Sequence, residues 1–211
     1  MEKKNTLINV YDPLCGWCYG FGPVMIKLHE VYKDQINFDV ISGGMITGSR
    51  IGPLSNMASY IKQAYKVVEQ TTGVKFGEQF LNHTLEEGKV VFSSLEPAKA
   101  LTIMRNLNKE LVVEFSHEIQ KLIYKDGIDP VQYSAYLPLF QKYGFDQKVV
   151  LPLFASKDLE QETVNEFGMA HRWKINGFPS CVVQTAEGKA YPISNGYLSY
   201  AEMEKRIQAY L

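Results

Sequence analysis

Two of the three cysteines in this 211-residue chain lie three positions apart, in the segment Cys15-Gly16-Trp17-Cys18. Three cysteines placed at random would give such a pair in roughly 3% of chains, so the spacing calls for an explanation. A CxxC pair can exchange disulfides, because one thiolate attacks a disulfide and the neighbouring thiol resolves the mixed disulfide. It can also supply two of the four ligands of a zinc ion. The pair therefore indicates either redox chemistry or metal binding.

Redox chemistry requires a cysteine whose thiolate is stabilised and accessible. A β-prone run over residues 7–11, followed by the turn Asp12-Pro13-Leu14, places Cys15 where a strand ends and a helix begins. The unpaired N–H groups and partial positive charge of a helix N-terminus favour a negative sulfur. Cys18 would lie one helical turn further on, beside Cys15 and deeper in the protein. We therefore expect Cys15 to attack disulfides and Cys18 to resolve them.

The elements around the cysteine pair predict an α/β fold. Apolar residues recur at helical spacing over 24–32, with Pro23 suited to a first turn, and alternate with polar residues over 36–40 as in a strand. This strand–helix–strand opening predicts two parallel strands joined by a right-handed crossover. The spacing is helical again over 158–173. Strands at 181–184 and 190–193 then form a predicted hairpin, followed by a final helix.

The middle of the chain has a different character. From about Pro53 to Ser156 the apolar spacing is helical, interrupted by Gly and Pro, and it shows no strand pattern. The order of elements is then βαβ, a helical block and αββα. We predict that residues 1–48 and 157–211 form one domain, and that residues 49–156 form an all-helical domain inserted into it.

The composition excludes several classes of protein. With 22 Lys and Arg against 23 Asp and Glu, the net charge is −1, so neither nucleic acid nor a membrane is an expected partner. A hydrophobic content of 45% is too high for a disordered chain. The apolar run after Lys3-Lys4 breaks at Asn9, which is too early for a signal peptide or a membrane span. We therefore expect a cytoplasmic protein, either a monomer or a homodimer.

Two segments resemble a known family. Residues 12–20, Asp-Pro-Leu-Cys-Gly-Trp-Cys-Tyr-Gly, closely resemble the D-x-x-C-x-W-C-Y segment of FrnE-type proteins, a DsbA-like branch of the thioredoxin fold. The segment Gly177-Phe178-Pro179-Ser180, which leads into the predicted hairpin and final helix, is similar to the second motif of that fold. The resemblance spans nearly the whole chain, while its specific motifs occupy about 11–22 and 175–183.

This resemblance implies a thioredoxin-like α/β fold with a large helical insertion, and the activity of a protein-disulfide oxidoreductase or isomerase. It implies that Cys15 is the nucleophile, Cys18 the resolving thiol and Pro179 a cis-proline that faces them. Phe178 would then turn its backbone toward the sulfurs, where an extended substrate could pair with it. The Gly16-Trp17 dipeptide differs from the Pro-His of DsbA and the Gly-Pro of thioredoxin, so the direction of electron transfer stays open.

The resemblance also bears on cofactors and partners. It implies no cofactor apart from the redox-active disulfide, with glutathione as a candidate co-substrate. The expected partners are protein or small-molecule thiols and disulfides. Trp17, Tyr19, Met45, Ile46 and Phe178 are candidates for an apolar rim that contacts such a substrate.

Asp12 and Cys181 each have two interpretations. Asp12 could exchange a proton with Cys18, although an Asp-Pro turn residue is the interpretation we favour. Cys181 is most simply a small core residue on a strand, and its alternative is a third thiol that traps the pair.

Three alternatives to a disulfide oxidoreductase remain open at this stage. A zinc site could be built from Cys15, Cys18, Cys181 and His171. A glutathione-dependent isomerase or kappa-like transferase would share the fold, although those relatives carry a serine at the position of Cys15. A chaperone-like protein would use the apolar rim without any redox cycle.

Overall fold

A computed structural model describes residues 4–211; residues 1–3, part of the segment used for the targeting prediction, lie outside the described residues. The strands are β1 (Thr6–Tyr11), β2 (Asn37–Ser42), β3 (Gly52–Pro53), β4 (Val91–Phe92), β5 (Ser180–Gln184) and β6 (Ala190–Asn195). Four of them form the main sheet in the order β2-β1-β5-β6. β1 runs parallel to β2 and antiparallel to β5, and β5 pairs antiparallel with β6. This arrangement confirms the predicted strand–helix–strand opening and the C-terminal hairpin.

Helices connect and cover these strands. In residues 4–211 they are α1 (Gly16–Tyr32), α2 (Ala58–Thr72), α3 (Leu85–Glu87), α4 (Leu95–Leu107), α5 (Val112–Tyr124), α6 (Leu137–Lys142), α7 (Gln147–Phe154), α8 (Lys157–Arg172) and α9 (Tyr200–Ile207). A short π-helix, Phe80–Thr84, leads directly into α3. Within this part of the chain, no helix combines the length and the apolar character needed to cross a membrane.

Two details differ from the sequence predictions. β3 and β4 pair antiparallel within a region where no strand was expected. Each has only two residues, so neither can show the alternation by which a strand is recognised. The first helix begins at Gly16, so Pro23 lies inside it and not in its first turn. The helix begins directly after Cys15, as predicted, and Cys15 provides its N-cap.

The main sheet packs helices on both of its faces, because successive side chains of a strand point to opposite sides. Ile8 and Val10 of β1 belong to a small hydrophobic cluster that includes Ala170 of α8. Leu7 and Tyr11, on the other side of β1, belong to the main hydrophobic cluster. The sheet is therefore the middle layer of the α/β fold, and the end of β1 is held from both sides.

The main hydrophobic cluster joins the two parts of the predicted domain division. It contains Leu28 of α1 and Val183 of β5, and also Leu101 of α4 and Ile119 of α5 from the predicted insertion. Burial of these apolar side chains on both sides of the division stabilises one continuous core. The assignment of residues 49–156 to a separate inserted domain stays a prediction.

A buried carboxylate links the helical region to the sheet. Glu166 of α8 accepts hydrogen bonds from the backbone N–H of Ser42 in β2, at 3.0 Å, and from the hydroxyl of Thr102 in α4, at 3.1 Å. It also forms a short ion pair with Arg105 of α4. A buried carboxylate is costly unless it is paired and hydrogen-bonded, and here both conditions are met. These contacts fix α4 and α8 relative to the end of β2.

Candidate active site

Both cysteines of the CxxC pair lie at the start of α1. Cys15 is the N-cap residue and has an extended backbone, with φ −97° and ψ 112°. Its N–H donates to the carbonyl of Asp12 at 3.0 Å, and its Sγ accepts the N–H of Cys18 at 3.3 Å. An amide that donates to sulfur at a helix N-terminus stabilises a thiolate there. The geometry predicted from the order strand, turn, helix is present.

The two thiols lie in different environments. Both thiols are free and mostly buried, but Cys15 lines the wall of a groove whereas Cys18 does not. Burial raises the pKa of the Cys18 thiol well above its usual value, and the hydrogen bond and charge of Cys15 raise it further. Cys15 is therefore the thiol at the wall of the groove, and burial favours the protonated form of Cys18 behind it.

The loop before β5 faces Cys15. The peptide bond between Phe178 and Pro179 is cis. The Cys15 thiol donates to the carbonyl oxygen of Phe178, with Sγ and O 3.5 Å apart. The carbonyl of Pro179 accepts the N–H of Gly196 at 2.7 Å, which ties the loop to the end of β6. The sheet thus brings together two segments that are about 160 positions apart in the sequence.

Asp12 is completely buried, and its carboxylate accepts hydrogen bonds from segments outside the Asp-Pro turn. Oδ1 accepts the N–H of Leu14 at 2.9 Å and the hydroxyl of Ser94 at 3.0 Å, while Oδ2 accepts the N–H of Met45 at 2.7 Å. Burial raises the pKa of the Asp12 carboxyl to about 6, although these hydrogen bonds and the charge of Arg50 oppose the rise. The carboxyl therefore holds the turn over residues 12–15 (the redox turn), the loop after β2 and the residue before α4 in one place.

Gln120 of α5 is a second buried residue that holds the turn. Its Nε2 lies 3.3 Å from the carbonyl oxygens of Asp12 and Cys15, and 3.5 Å from that of Pro13. Sequence reasoning did not identify this residue or Ser94. Both come close to the turn only through the fold, and a buried polar residue on a helix gives no local signal of its partner.

Cys15 opens into a groove of about 520 Å³. It is lined by residues of the redox turn, the start of α1, the loop after β2, helix α2 and the segments on either side of it, the end of α5 and the loop before β5: Leu14, Cys15, Gly16, Trp17, Met45, Ile46, Arg50, Met57, Tyr60, Ile61, Ala64, Tyr65, Val68, Phe76, Tyr124, Asn176, Gly177 and Phe178. Most of these side chains are apolar. The groove therefore offers apolar contact to any molecule whose sulfur approaches Cys15.

The predicted apolar rim is largely present. Trp17, Met45, Ile46 and Phe178 line the groove, as expected. The prediction was wrong for Tyr19, which is buried behind the groove. Its hydroxyl donates to a backbone carbonyl of the segment between α2 and the π-helix, at 3.0 Å, because the tyrosine turns inward one helical turn after the N-cap.

Helix α2 contributes a wall of the groove, which its apolar spacing alone did not predict. Ile61, Ala64 and Tyr65 line the groove and are only partly buried. Of the fifteen residues of α2, only Val68 is buried. The apolar spacing of α2 indicated an amphipathic helix, but spacing cannot tell whether such a face packs against protein or lines a groove.

Cys181 and His171 do not join the cysteine pair in a metal site. Within residues 4–211, no group of three or more His, Cys, Asp or Glu side chains is arranged to hold a metal ion. Cys181 is fully buried in β5, where burial raises the pKa of its thiol to about 12. His171 is exposed near the end of α8. The proposed four-ligand zinc site is therefore not assembled, and Cys181 lies in the core.

The fold and this site define a thioredoxin-like protein with a CxxC pair at the start of a helix, and comparison with known families agrees. The model of the DSBA-like thioredoxin domain matches residues 6–208. The chain therefore belongs to the family of DSBA-like thioredoxin domains, whose members include thiol–disulfide oxidoreductases. The comparison with curated protein sequences returns no match.

Solved structures support the same fold over nearly the full length. One is a Nitrosomonas europaea protein that is proposed to be a protein disulfide isomerase. It is 26% identical, the alignment covers 98% of this chain and 97% of that protein, and the TM-score is 0.87. The cytosolic disulfide reductase DsbM from Pseudomonas aeruginosa, solved with GSH, is 24% identical, with 90% and 89% coverage and a TM-score of 0.75. A 2-hydroxychromene-2-carboxylate isomerase shares the fold at 14% identity, with 97% and 93% coverage and a TM-score of 0.62.

Proposed function

We propose that this protein is a thiol–disulfide oxidoreductase in which Cys15 forms the mixed disulfide with the substrate and Cys18 resolves it. One observation carries the proposal. The Cys15 sulfur caps α1, accepts the N–H of Cys18 and lies at the edge of an apolar groove opposite the Phe178 carbonyl. Gly16 and Trp17 form part of the wall beside this sulfur, and the cis bond to Pro179 follows the Phe178 that faces it.

In the reducing direction, the Cys15 thiolate attacks one sulfur of a substrate disulfide. The substrate S–S bond breaks, a bond forms between Cys15 and the substrate, and the released thiolate takes up a proton. Cys18 then loses its proton and attacks the Cys15 sulfur, which releases the second substrate thiol and leaves a Cys15–Cys18 disulfide. Two electrons have then passed to the substrate.

A reductant must return the pair to its dithiol form. Two molecules of a small thiol can do so by the same exchange, because they are oxidised to one disulfide as Cys15 and Cys18 are reduced. Glutathione is our candidate for this co-substrate, supported by the structure of DsbM with GSH. That structure also supports the reducing direction and a cytoplasmic location for this chain. Partners are then protein or small-molecule disulfides.

Asp12 is assigned a positioning role in this scheme. Its carboxyl accepts two backbone N–H groups, one within the redox turn and one in the loop after β2. Its negative charge also raises the pKa of the Cys18 thiol. A carboxyl whose pKa is about 6 is able to accept a proton near neutral pH. Proton transfer from Cys18 is a second contribution that Asp12 could make.

Single cysteine variants test the proposed roles. We expect Cys15→Ser to abolish disulfide turnover, because the attacking sulfur is lost. Cys18→Ser should accumulate mixed disulfides on Cys15, because the resolving thiol is lost. Cys181→Ala is the matched control, since it removes the third thiol and should retain turnover.

Reduction of a disulfide substrate, followed by absorbance or fluorescence, measures turnover, and intact-protein mass spectrometry detects the mixed disulfide. Turnover by Cys15→Ser at the wild-type rate would contradict the proposal. Glutathione transfer or isomerisation that survives in Cys18→Ser, without any disulfide substrate, would favour the glutathione-dependent isomerase or transferase class instead.

A further inference from the structure

A second hollow adjoins the groove on the far side of Phe178. Its volume is about 320 Å³, and its lining comprises Gly43, Gly44, Met45, Thr47, Arg50, Phe167, Ala170, His171, Ile175, Asn176 and Phe178. Four of these residues, Met45, Arg50, Asn176 and Phe178, also line the groove at Cys15. The two depressions therefore share one edge, and that edge lies beside the loop that faces the Cys15 sulfur.

Arg50 gives the shared edge a positive charge that makes no ion pair with the residues the structure describes. Among the residues that line the two depressions, Arg50 and His171 alone have ionisable basic side chains, and none is Asp or Glu. Arg50 is exposed, and its side chain makes neither an ion pair nor a hydrogen bond with the residues the structure describes. His171 is exposed and also makes no side-chain hydrogen bond within residues 4–211.

We infer that Arg50 binds a carboxylate of the substrate, close to the sulfur that reacts with Cys15. This inference rests on the proposed function and narrows its substrate class. A guanidinium matches a carboxylate with two parallel hydrogen bonds. Arg50 is exposed, so water screens part of the attraction, and the paired hydrogen bonds supply the geometric selectivity. Asn176 lies on the same edge and His171 lines the second hollow beyond it, and both side chains add hydrogen-bond donors for the second carboxylate oxygen.

The substrate class is a disulfide or thiol with a carboxylate near its reacting sulfur. A molecule whose sulfur lies at Cys15 and whose next group passes Phe178 reaches the edge that Arg50 occupies. Two sources supply this chemistry. One is a small peptide thiol with free carboxyl groups, such as glutathione, and the other is a protein with an acidic residue beside its cysteine.

Arg50 has another effect that the experiment must separate from carboxylate binding. Its charge lowers the pKa of the buried Asp12 carboxyl, against the effect of burial. Removing Arg50 therefore changes the redox turn for every substrate alike. Binding of a carboxylate affects only substrates that carry one, so substrates must be compared in pairs that differ in that group alone.

Matched substrates provide the test. The first pair is glutathione disulfide and the same disulfide with all four carboxyl groups converted to methyl esters. The second pair is a disulfide peptide with Glu beside the cysteine and the same peptide with Gln. For at least one pair, we expect the wild-type protein to prefer the carboxylate form about tenfold in kcat/KM, typical of a charge-assisted hydrogen bond. Arg50→Gln should remove this preference, and Arg50→Lys should restore part of it.

Lys66→Gln is the matched control, because it removes one exposed positive charge from α2 at a residue that lines neither depression. It should keep the preference. A preference in the first pair alone identifies the small thiol as the source, and one in the second pair identifies the acidic protein segment. Equal rates within both pairs, or equal losses for both members in Arg50→Gln, would overturn the inference. With Cys15-dependent turnover intact, such a result leaves the proposed function in place.

Discussion

At the scale of single residues, the site depends on where the fold places charge. Cys15 and Cys18 are three positions apart, but one lines the groove while burial raises the pKa of the other. Asp12 is buried beside them and keeps its carboxyl hydrogen-bonded to two segments of the backbone. The different roles proposed for the two thiols, attack by Cys15 and resolution by Cys18, therefore follow from their surroundings, since both are cysteine thiols.

The buried Asp12 carboxyl predicts a pH-dependent stability. Its pKa is about 6 in the folded protein against an ordinary value of 3.8, so the folded state holds this proton more tightly than the unfolded state. Ionisation of Asp12 therefore costs stability as the pH rises from about 4 to about 6. The cost reaches about 3 kcal/mol above that range, at 1.36 kcal/mol per unit of pKa.

Asp12→Asn cannot ionise and should escape this cost. Its free energy of unfolding relative to the wild type should rise by about 2 kcal/mol between pH 4 and pH 7. The constant effect of altered hydrogen bonds cancels, because the comparison is between two pH values. Urea unfolding of both proteins across this range measures the difference, and a difference that does not change with pH would contradict the assignment.

At the scale of elements, sequence patterns predicted most of what positions the site. The strands of the main sheet and the helix after Cys15 have periodic apolar residues that fix which face is buried. β3 and β4 are too short to show such a pattern. The wall formed by α2 also escaped prediction, because an amphipathic helix looks the same in sequence whether its apolar face meets protein or a groove.

The ion pair between Glu166 and Arg105 should stabilise the packing of α8 and α4 on β2. Arg105→Met leaves the buried Glu166 carboxylate without its cation, so we expect a loss of about 3 kcal/mol in the free energy of unfolding. The exposed pair of Lys62 and Glu86 offers a control, since Lys62→Met should change stability by less than about 1 kcal/mol. Chemical denaturation measures both, and equal effects in the two variants would refute a special role for the buried pair.

At the scale of the whole molecule, the fold brings together what the sequence keeps apart. The Cys15 sulfur meets the Phe178 carbonyl across a separation of 163 positions, and the Asp12 carboxyl meets the Ser94 hydroxyl across 82. The CxxC pair and the Phe-Pro segment were recognised because each forms a local motif. Ser94, Gln120 and the Arg50 edge were not, since their roles depend only on contacts that the three-dimensional packing creates.

Cys15 and Cys18 should form a reversible redox pair while Cys181 stays outside it. Equilibration of the protein in glutathione buffers of varied ratio, with acid quenching and mass spectrometry of the cysteine peptides, tests this directly. We predict a Cys15–Cys18 disulfide whose fraction follows the buffer ratio, with Cys181 still a free thiol. A reduction potential of about −270 mV for the pair would identify a reductase, and one of about −120 mV would identify an oxidant. A protein that never links Cys15 to Cys18 at any ratio would contradict the account.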